Sequence, residues 1–233
     1  MIYSRRQLLG AGAAAGFMAT TANAQTLAEI VAGLNDPVPA APAPIRLPYA
    51  PVATAPARVL VDAAIDPRLL ARARASFERH KGQVKHGDIV GITDFARASS
   101  EHRFFLLDTR SGKVSSHYVA HGRGSDPGHH GYLERFSNAY GSNASSQGAY
   151  LTGDYYPGKY GRSMRLKGLE ASNSNAEGRA IVVHSAWYAE PEVISQTGKL
   201  GRSEGCFALS QESLREVLAR LGPGRFLYAD KLA

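Results

Sequence analysis

The chain has very little cysteine and tryptophan: Cys206 is its one thiol and Trp187 its one indole among 233 residues. A single cysteine excludes an intramolecular disulfide, and with it the small domains that are held together by disulfides. Basic residues outnumber acidic ones by 27 to 20, yet no cluster of Lys and Arg is interleaved with aromatic residues, so nucleic-acid binding is not predicted. The 44% hydrophobic composition, with eight Phe and eleven Tyr, suits a globular protein with a real core.

The N-terminus has the three parts of an export signal. Arg5 and Arg6 precede a small, weakly apolar stretch at 10–21, and Ala-Asn-Ala follows it at 22–24. Paired arginines favour the twin-arginine route and a periplasmic location, with residues 1–24 removed; the alternative is an uncut N-terminal anchor. The apolar stretch is too short for a stable membrane span. In an exported protein a lone thiol favours a chemical role for Cys206, and the alternative is a buried core cysteine.

Three regions follow the signal. Residues 25–57 contain seven prolines between 37 and 56 and many alanines, which predicts an extended linker. Residues 58–86 are predicted as an N-terminal helical extension. Asp66-Pro67 suits an N-cap and first helical position, and Leu69, Ala73 and Phe77 share one face, so a helix is expected over 67–80. Residues 87–233 are predicted as the main domain.

The main domain is predicted to be mainly β, within the α+β class. A late helix is indicated by Ser210 as its cap and Gly222 as its stop. Residues 121–147 are rich in Gly, Ser, Asn and His, and a loop of that length is typically functional. Short β-branched or aromatic runs predict strands at 89–95, 103–109, 114–120, 149–153, 164–169, 180–185 and 225–229.

Two segments carry chemistry. The apolar run 181–185 delivers His184 at its end, and the Gly-bracketed loop 201–206 presents Cys206. A neighbouring imidazole can take the thiol proton and so activate the sulfur as a nucleophile. Backbone N–H groups in a tight glycine loop can stabilise an oxyanion, and those of Gly205 and Cys206 are the candidates. The pattern indicates acyl transfer.

These segments resemble the active-site signature of the YkuD-type L,D-transpeptidases, in particular their murein branch. The resemblance spans about residues 86–229 and includes the blocks 119–124, 136–138, 145–150 and 166–170. It implies a catalytic domain with a β-sandwich-like fold that needs no metal or organic cofactor. It also implies that the cysteine attacks a diaminopimelate carbonyl in a peptidoglycan stem peptide, after which an amine on another stem takes the acyl group.

The resemblance also implies roles for single residues. Cys206 is the nucleophile, His184 the general base, and the backbone carbonyl of Ser185 orients the imidazole. Ser203 and Arg202 shape the nucleophile loop, and Ser146 and Gly148 wall the substrate cleft. The sequence departs from the commoner family loop at Glu204, where that loop has His, and at Phe207-Ala208, where it has Arg or Asn. These departures leave the acceptor preference open.

Further residues are candidates for substrate binding. His121 is expected to line the cleft, Tyr132, Arg135 and Arg165 to hold stem carboxylates, and Trp187 to wall the site. For each of the last four, ordinary packing or surface exposure is the alternative. His117 and His121 raise the question of a metal, but no nearby Cys or paired carboxylate completes a set, so none is predicted.

The sequence therefore predicts a peptidoglycan L,D-transpeptidase that forms 3-3 or 1-3 cross-links. One alternative is a carboxypeptidase or amidase that uses water as the acceptor. Another is a non-catalytic wall-binding protein, against which the presence of both Cys206 and His184 argues.

Overall fold

The computed structural model describes residues 65–232. The predicted signal at 1–24, the linker at 25–57 and the first part of the helical extension lie outside the described residues. Within them the chain forms three α-helices and eight strands. These are α1 (Pro67–His80), β1 (Ile89–Asp94), β2 (Phe104–Asp108), β3 (Val114–His117), β4 (Gly148–Gly158), β5 (Gly161–Gly168), β6 (Val182–Ser185), α2 (Pro191–Thr197), β7 (Phe207–Leu209), α3 (Gln211–Leu221) and β8 (Phe226–Asp230).

Both predicted helices are confirmed with their caps. The Asp66 side chain accepts a hydrogen bond from the Arg68 N–H (2.8 Å) at the start of α1, where Pro67 occupies the first turn. The Ser210 hydroxyl accepts from the Ser213 N–H (3.1 Å) at the start of α3. Each cap satisfies a backbone donor that the first helical turn leaves without a partner.

The eight strands form one hydrogen-bonded sheet in the order β3-β2-β1-β8-β4-β5-β6-β7. Neighbouring strands are antiparallel except β1 with β8 and β6 with β7. The mainly β class predicted from the sequence is therefore confirmed.

The sheet folds over on itself. Phe104 of β2 and Phe207 of β7 lie with ring centroids 6.5 Å apart, although five strands separate β2 from β7 in the sheet order. A bridge between Ala120, just after β3, and Ala208 of β7 joins the two edges. This curling gives one continuous sheet the two facing layers of a sandwich, with an apolar core between them.

Helix α1 covers the outer face of the sheet. Leu69 and Ala73 pack with Val90, Phe105 and Phe226 in a second apolar cluster. Strands β1, β2 and β8 are consequently buried on both faces. Residues 65–86 thus share a core with the strands.

The structure differs from the predicted elements in three places. Strands β4 and β5 form a long hairpin that extends to Gly158 and Gly161, beyond the predicted end at Gly153. A bulge between Thr152 and Tyr155 lets the strand continue past its turn-like residues. Helix α2 and strand β7 were not predicted, because elements of seven and three residues are too short to show a period. The predicted strand 114–120 ends at His117.

Candidate active site

The nucleophile loop ends at Cys206, immediately before β7. The Gly205 N–H donates to Ser203 Oγ (3.1 Å), and the Ser203 hydroxyl donates to the Cys206 carbonyl (2.7 Å). Gly205 has a φ of 118°, and a Cβ there would lie 2.7 Å from the Ala144 carbonyl oxygen. Only glycine fits this turn without strain. Ser203 therefore shapes the loop from within, since its side chain is buried.

Segment 120–123 fastens the loop from the side. The Ala120 N–H donates to the Ala208 carbonyl, the Ser203 N–H to the His121 carbonyl, and the Arg123 N–H to the Ser203 carbonyl, each at 2.8 Å. These bonds hold the chain on both sides of Cys206. The segment is therefore the support of the nucleophile rather than a free loop.

A buried chain of polar side chains anchors that segment. Arg103 Nη2 donates to His121 Nδ1 (2.8 Å), so the imidazole carries its proton on Nε2, which faces Asp126 Oδ2 at 3.3 Å. Burial, with the nearby Arg103 charge, lowers the pKa of His121 to about 3. The imidazole is 1% exposed. The polar atoms of His121 are therefore used inside the protein, and its place in the lining of the cleft stays a prediction.

His184 lies at the end of β6, opposite Ala208 of β7. Its Nδ1 lies 2.8 Å from the Ser185 carbonyl, which can only accept, so Nδ1 carries the proton and Nε2 keeps a free lone pair. The ring stacks on Tyr160 at a centroid distance of 5.3 Å. Burial lowers the pKa of His184, and the Ser185 carbonyl partly offsets this. The imidazole is thus a neutral base at neutral pH.

The register of β6 and β7 sets the relation of His184 to Cys206. Val183 lies opposite Phe207, and both side chains point into the core. Successive side chains of a strand alternate between faces, so His184 belongs to the opposite, outer face, and Cys206 directly precedes β7. The Cys206 thiol donates to the Ala180 carbonyl (3.5 Å) and, within residues 65–232, forms no hydrogen bond to the imidazole. The thiol is therefore bound to the backbone at Ala180 and not to the imidazole.

The surroundings of the thiol favour its protonated form. Burial raises the pKa of Cys206, and the Glu204 charge raises it further. The Val182 N–H and the Arg179 charge act in the opposite direction. Together with the lowered pKa of His184, this makes the resting pair a neutral thiol and a neutral imidazole.

Arg179 is a site residue that the sequence analysis missed. Its Nη1 donates to the Ser137 carbonyl (2.8 Å) and Ser146 Oγ (2.6 Å), and its Nη2 to Ser142 Oγ (3.1 Å). A Cβ on Gly205 would lie 3.2 Å from Nη2, so the cation adjoins the nucleophile loop. It forms no ion pair with an acid in the described part of the chain. No pattern in the polar stretch before β6 points to it.

Ser146 and Gly148 are the two predicted wall residues of the cleft. Ser146 is fully buried and serves as an acceptor for Arg179. Gly148, with a φ of 116°, faces Glu170, whose carboxylate binds Ser76 and Arg79 of α1. Both residues have their contacts inside the fold, and their role as walls of the cleft stays a prediction.

The remaining candidates occupy different places. Arg165 lies opposite Val182 on β5, so it shares the outer face with His184, and its guanidinium stacks over Tyr156 at 4.5 Å. Arg202 donates to the Asp126 and Pro127 carbonyls, which ties the nucleophile loop to the 121–147 stretch. Tyr132 is 53% exposed. Arg135 donates to the Gly124 carbonyl (3.0 Å).

An open groove adjoins the imidazole. Trp187, 73% exposed, stands at its edge next to Tyr188. Tyr160, which stacks on His184, forms another part of the wall. The groove is lined by Tyr160, Ser185, Ala186, Trp187, Glu190 and Gln211.

The described residues show no group of three or more His, Cys, Asp or Glu side chains that could hold a metal ion. Of the helices in residues 65–232, none has the length and apolar character to cross a membrane.

Comparisons place the chain among known proteins. Solved structures that match the chain include an L,D-transpeptidase from Mycobacterium smegmatis (14% identity, 61% of this chain and 58% of that chain, TM-score 0.37). Another is L,D-transpeptidase 3 from Mycobacterium tuberculosis with a faropenem-derived adduct (17%, 61% and 60%, 0.36). A third is the helical cell shape determining protein Pgp2 (K307A mutant) from Campylobacter jejuni (11%, 72% and 58%, 0.40). Each alignment spans less than two thirds of the relative's own length.

No curated protein matches the chain. The family model of the L,D-transpeptidase catalytic domain matches residues 62–229, which is well over half of the sequence. The chain belongs to the L,D-transpeptidase catalytic domain family.

Proposed function

We propose that the protein is a cysteine-dependent L,D-transpeptidase that cross-links peptidoglycan stem peptides. One observation supports the proposal most: Nδ1 of His184 is bound to the Ser185 carbonyl, which leaves Nε2 as a base, and β6 pairs with β7, the strand that begins directly after Cys206. Family membership supports the substrate class.

In the proposed acylation, the Cys206 thiol turns from Ala180 and gives its proton to His184 Nε2. The sulfur attacks the diaminopimelate carbonyl, and the C–S bond forms as the C–N bond to the next residue breaks. His184 returns the proton to the departing amine. The Gly205 N–H is engaged by Ser203 Oγ, so the Cys206 N–H is the main oxyanion donor in this scheme.

In the second step an acceptor amine attacks the thioester. The C–N bond of the cross-link forms, the C–S bond breaks, and the amine proton passes through His184 to the sulfur. Water in place of the amine would give a carboxypeptidase, which is the second candidate. The open groove beside His184 has room for a stem peptide, and product analysis decides between the amine and water.

Product analysis tests the proposal. Purified protein lacking residues 1–24 is incubated with tetrapeptide muropeptides, alongside Cys206→Ala, and products are followed by mass spectrometry. We expect cross-linked dimers from the wild type alone, and fragmentation identifies the acceptor amine. Trimmed monomers without dimers would replace the transpeptidase by a hydrolase. No product and no acyl-enzyme would favour a wall-binding protein.

We further propose export to the periplasm by the twin-arginine route, on the basis of Arg5, Arg6 and the Ala-Asn-Ala end. Replacing both arginines by lysine is expected to keep the protein in the cytoplasm, as judged by cell fractionation with an antibody. An unchanged periplasmic fraction would contradict this route.

A further inference from the structure

Glu204 carries a negative charge that disfavours the thiolate form of Cys206. It lies two residues before the nucleophile, and 72% of its side chain is exposed. Its charge adds to the burial that raises the pKa of Cys206. A carboxylate that disfavours the thiolate does not help to activate it. Its position beside Cys206 therefore favours a role in a step other than activation of the thiol.

The carboxylate is held loosely by one partner. Arg123 Nη2 lies 3.1 Å from Glu204 Oε1, and the Arg123 side chain is 56% exposed. An ion pair exposed on both sides is weak because water screens it. A cationic group of a substrate can therefore take the place of Arg123.

The backbone around Glu204, in contrast, is fixed. The Arg123 N–H donates to the Ser203 carbonyl (2.8 Å), and the Gly205 N–H donates to Ser203 Oγ (3.1 Å). The fixed backbone keeps Glu204 two residues before Cys206 on a rigid loop, where its charge acts on the sulfur that would carry the acyl group.

Two cations lie on or beside the loop, whereas the nearby Asp126 carboxylate is buried against His121. Arg179 adjoins Gly205, and Arg202 belongs to the loop itself; in the part of the chain that the structure describes, neither pairs with an acidic side chain. Glu204 is the acidic residue of the loop. It is thus the group on this loop that can attract an amine in its charged form.

We infer that Glu204 is the acceptor-amine subsite: its carboxylate binds the acceptor ammonium beside the thioester on Cys206, and Arg123 is the resident cation that the acceptor displaces. The inference rests on the proposed function. The bound ammonium loses one proton to water, and the resulting amine attacks the thioester. As the C–N bond forms and the C–S bond breaks, a second nitrogen proton passes through His184 to the sulfur.

Glu204 and Arg123 together would also bind two kinds of acceptor amine differently. An amine with a carboxylate on the same carbon, as in diaminopimelate, can bind Glu204 and the released Arg123 together. The N-terminal amine of a stem peptide has no such carboxylate and can bind Glu204 alone. Arg123 is therefore a partner for the first acceptor and a competitor of the second.

Measuring acylation of Cys206 and transfer to the acceptor separately distinguishes a role of Glu204 in acceptor binding from a role in acylation. Wild type, Glu204→Gln and Glu78→Gln are acylated with a donor tetrapeptide, and loss of the acyl-enzyme is followed by intact mass at rising concentrations of each acceptor. Glu78 is the matched control, because its exposed carboxylate pairs with Lys81 at 2.9 Å on α1. We expect Glu204→Gln to raise the acceptor KM about fivefold, the upper end for an exposed ion pair. Hydrolysis by water should change less than about threefold, and the control should match the wild type.

Other results of these measurements would overturn the inference. An unchanged acceptor KM, or an equal loss with water, would overturn the inference. Arg123→Gln should raise the KM of diaminopimelate and lower that of an N-terminal amine; equal values for both would refute the displacement. If the wild type forms no acyl-enzyme, the proposed function fails and the inference fails with it.

Discussion

At the residue scale, burial shifts the pKa values of Cys206 and His184 in opposite directions. Burial raises the pKa of the Cys206 thiol and lowers that of the His184 imidazole. Both shifts oppose a thiolate–imidazolium pair, so in the proposed mechanism the thiol proton moves to His184 only as the sulfur attacks. The enzyme is thereby expected to keep an unreactive thiol until a substrate is bound.

Alkylation of Cys206 by iodoacetamide tests this state. Because the thiol pKa is raised, we expect the rate to climb with pH through the ordinary value of about 8.5 without reaching a plateau there. The rate is measured by intact mass between pH 5 and 10, roughly the window in which free thiols titrate. A plateau below about pH 7 would reveal a preformed thiolate.

Gly205 is the residue on which the loop geometry depends. At its φ of 118°, Gly205→Ala places Cβ 2.7 Å from the Ala144 carbonyl oxygen. We expect a loss of about 1–3 kcal/mol in the free energy of unfolding, and slower acylation as the loop shifts. Gly112→Ala is the control, since Gly112 also has a positive φ (70°) but no atom within 4 Å of its Cβ position. Equal acylation by the two variants would contradict the account.

At the element scale, the candidate site consists of the end of β6, which carries His184, and the loop that carries Cys206. Segment 120–123 holds this loop through backbone hydrogen bonds. The strand that delivers His184 and the loop that presents Cys206 could be predicted, because an apolar run and bracketing glycines are local patterns. Strand β7 could not, since three residues show no period and its partners lie far away in sequence. The same limit explains His121: its partner Arg103 comes from the start of β2, and a polar residue in a glycine-rich stretch gives no sign of burial.

The buried chain behind the loop should contribute strongly to stability. His121→Ala leaves Arg103 and Asp126 each without one buried partner, which is expected to cost about 2–4 kcal/mol in the free energy of unfolding. His102→Ala removes a half-buried imidazole with a 2.9 Å contact to Ser116 Oγ and should cost about 1 kcal/mol. Urea unfolding measures both. Similar losses would show that the chain does not anchor segment 120–123.

At the scale of the whole molecule, the curled sheet brings together regions far apart in sequence. Segment 120–123, the end of β6 and the nucleophile loop meet because the two sheet edges are joined at Ala120 and Ala208. The family and the mainly β class could be predicted from motif blocks and strand patterns. The closure of the sheet could not, because it depends on pairing between its two edges.

The central claim is that Cys206 becomes acylated with the help of His184. Its most direct measurement is intact-mass analysis and peptide mapping of the protein after incubation with a donor tetrapeptide or a carbapenem. The account predicts one adduct on the peptide that contains Cys206, formed much more slowly in His184→Ala and absent in Cys206→Ala. An adduct on another residue, or equal rates with and without His184, would contradict it.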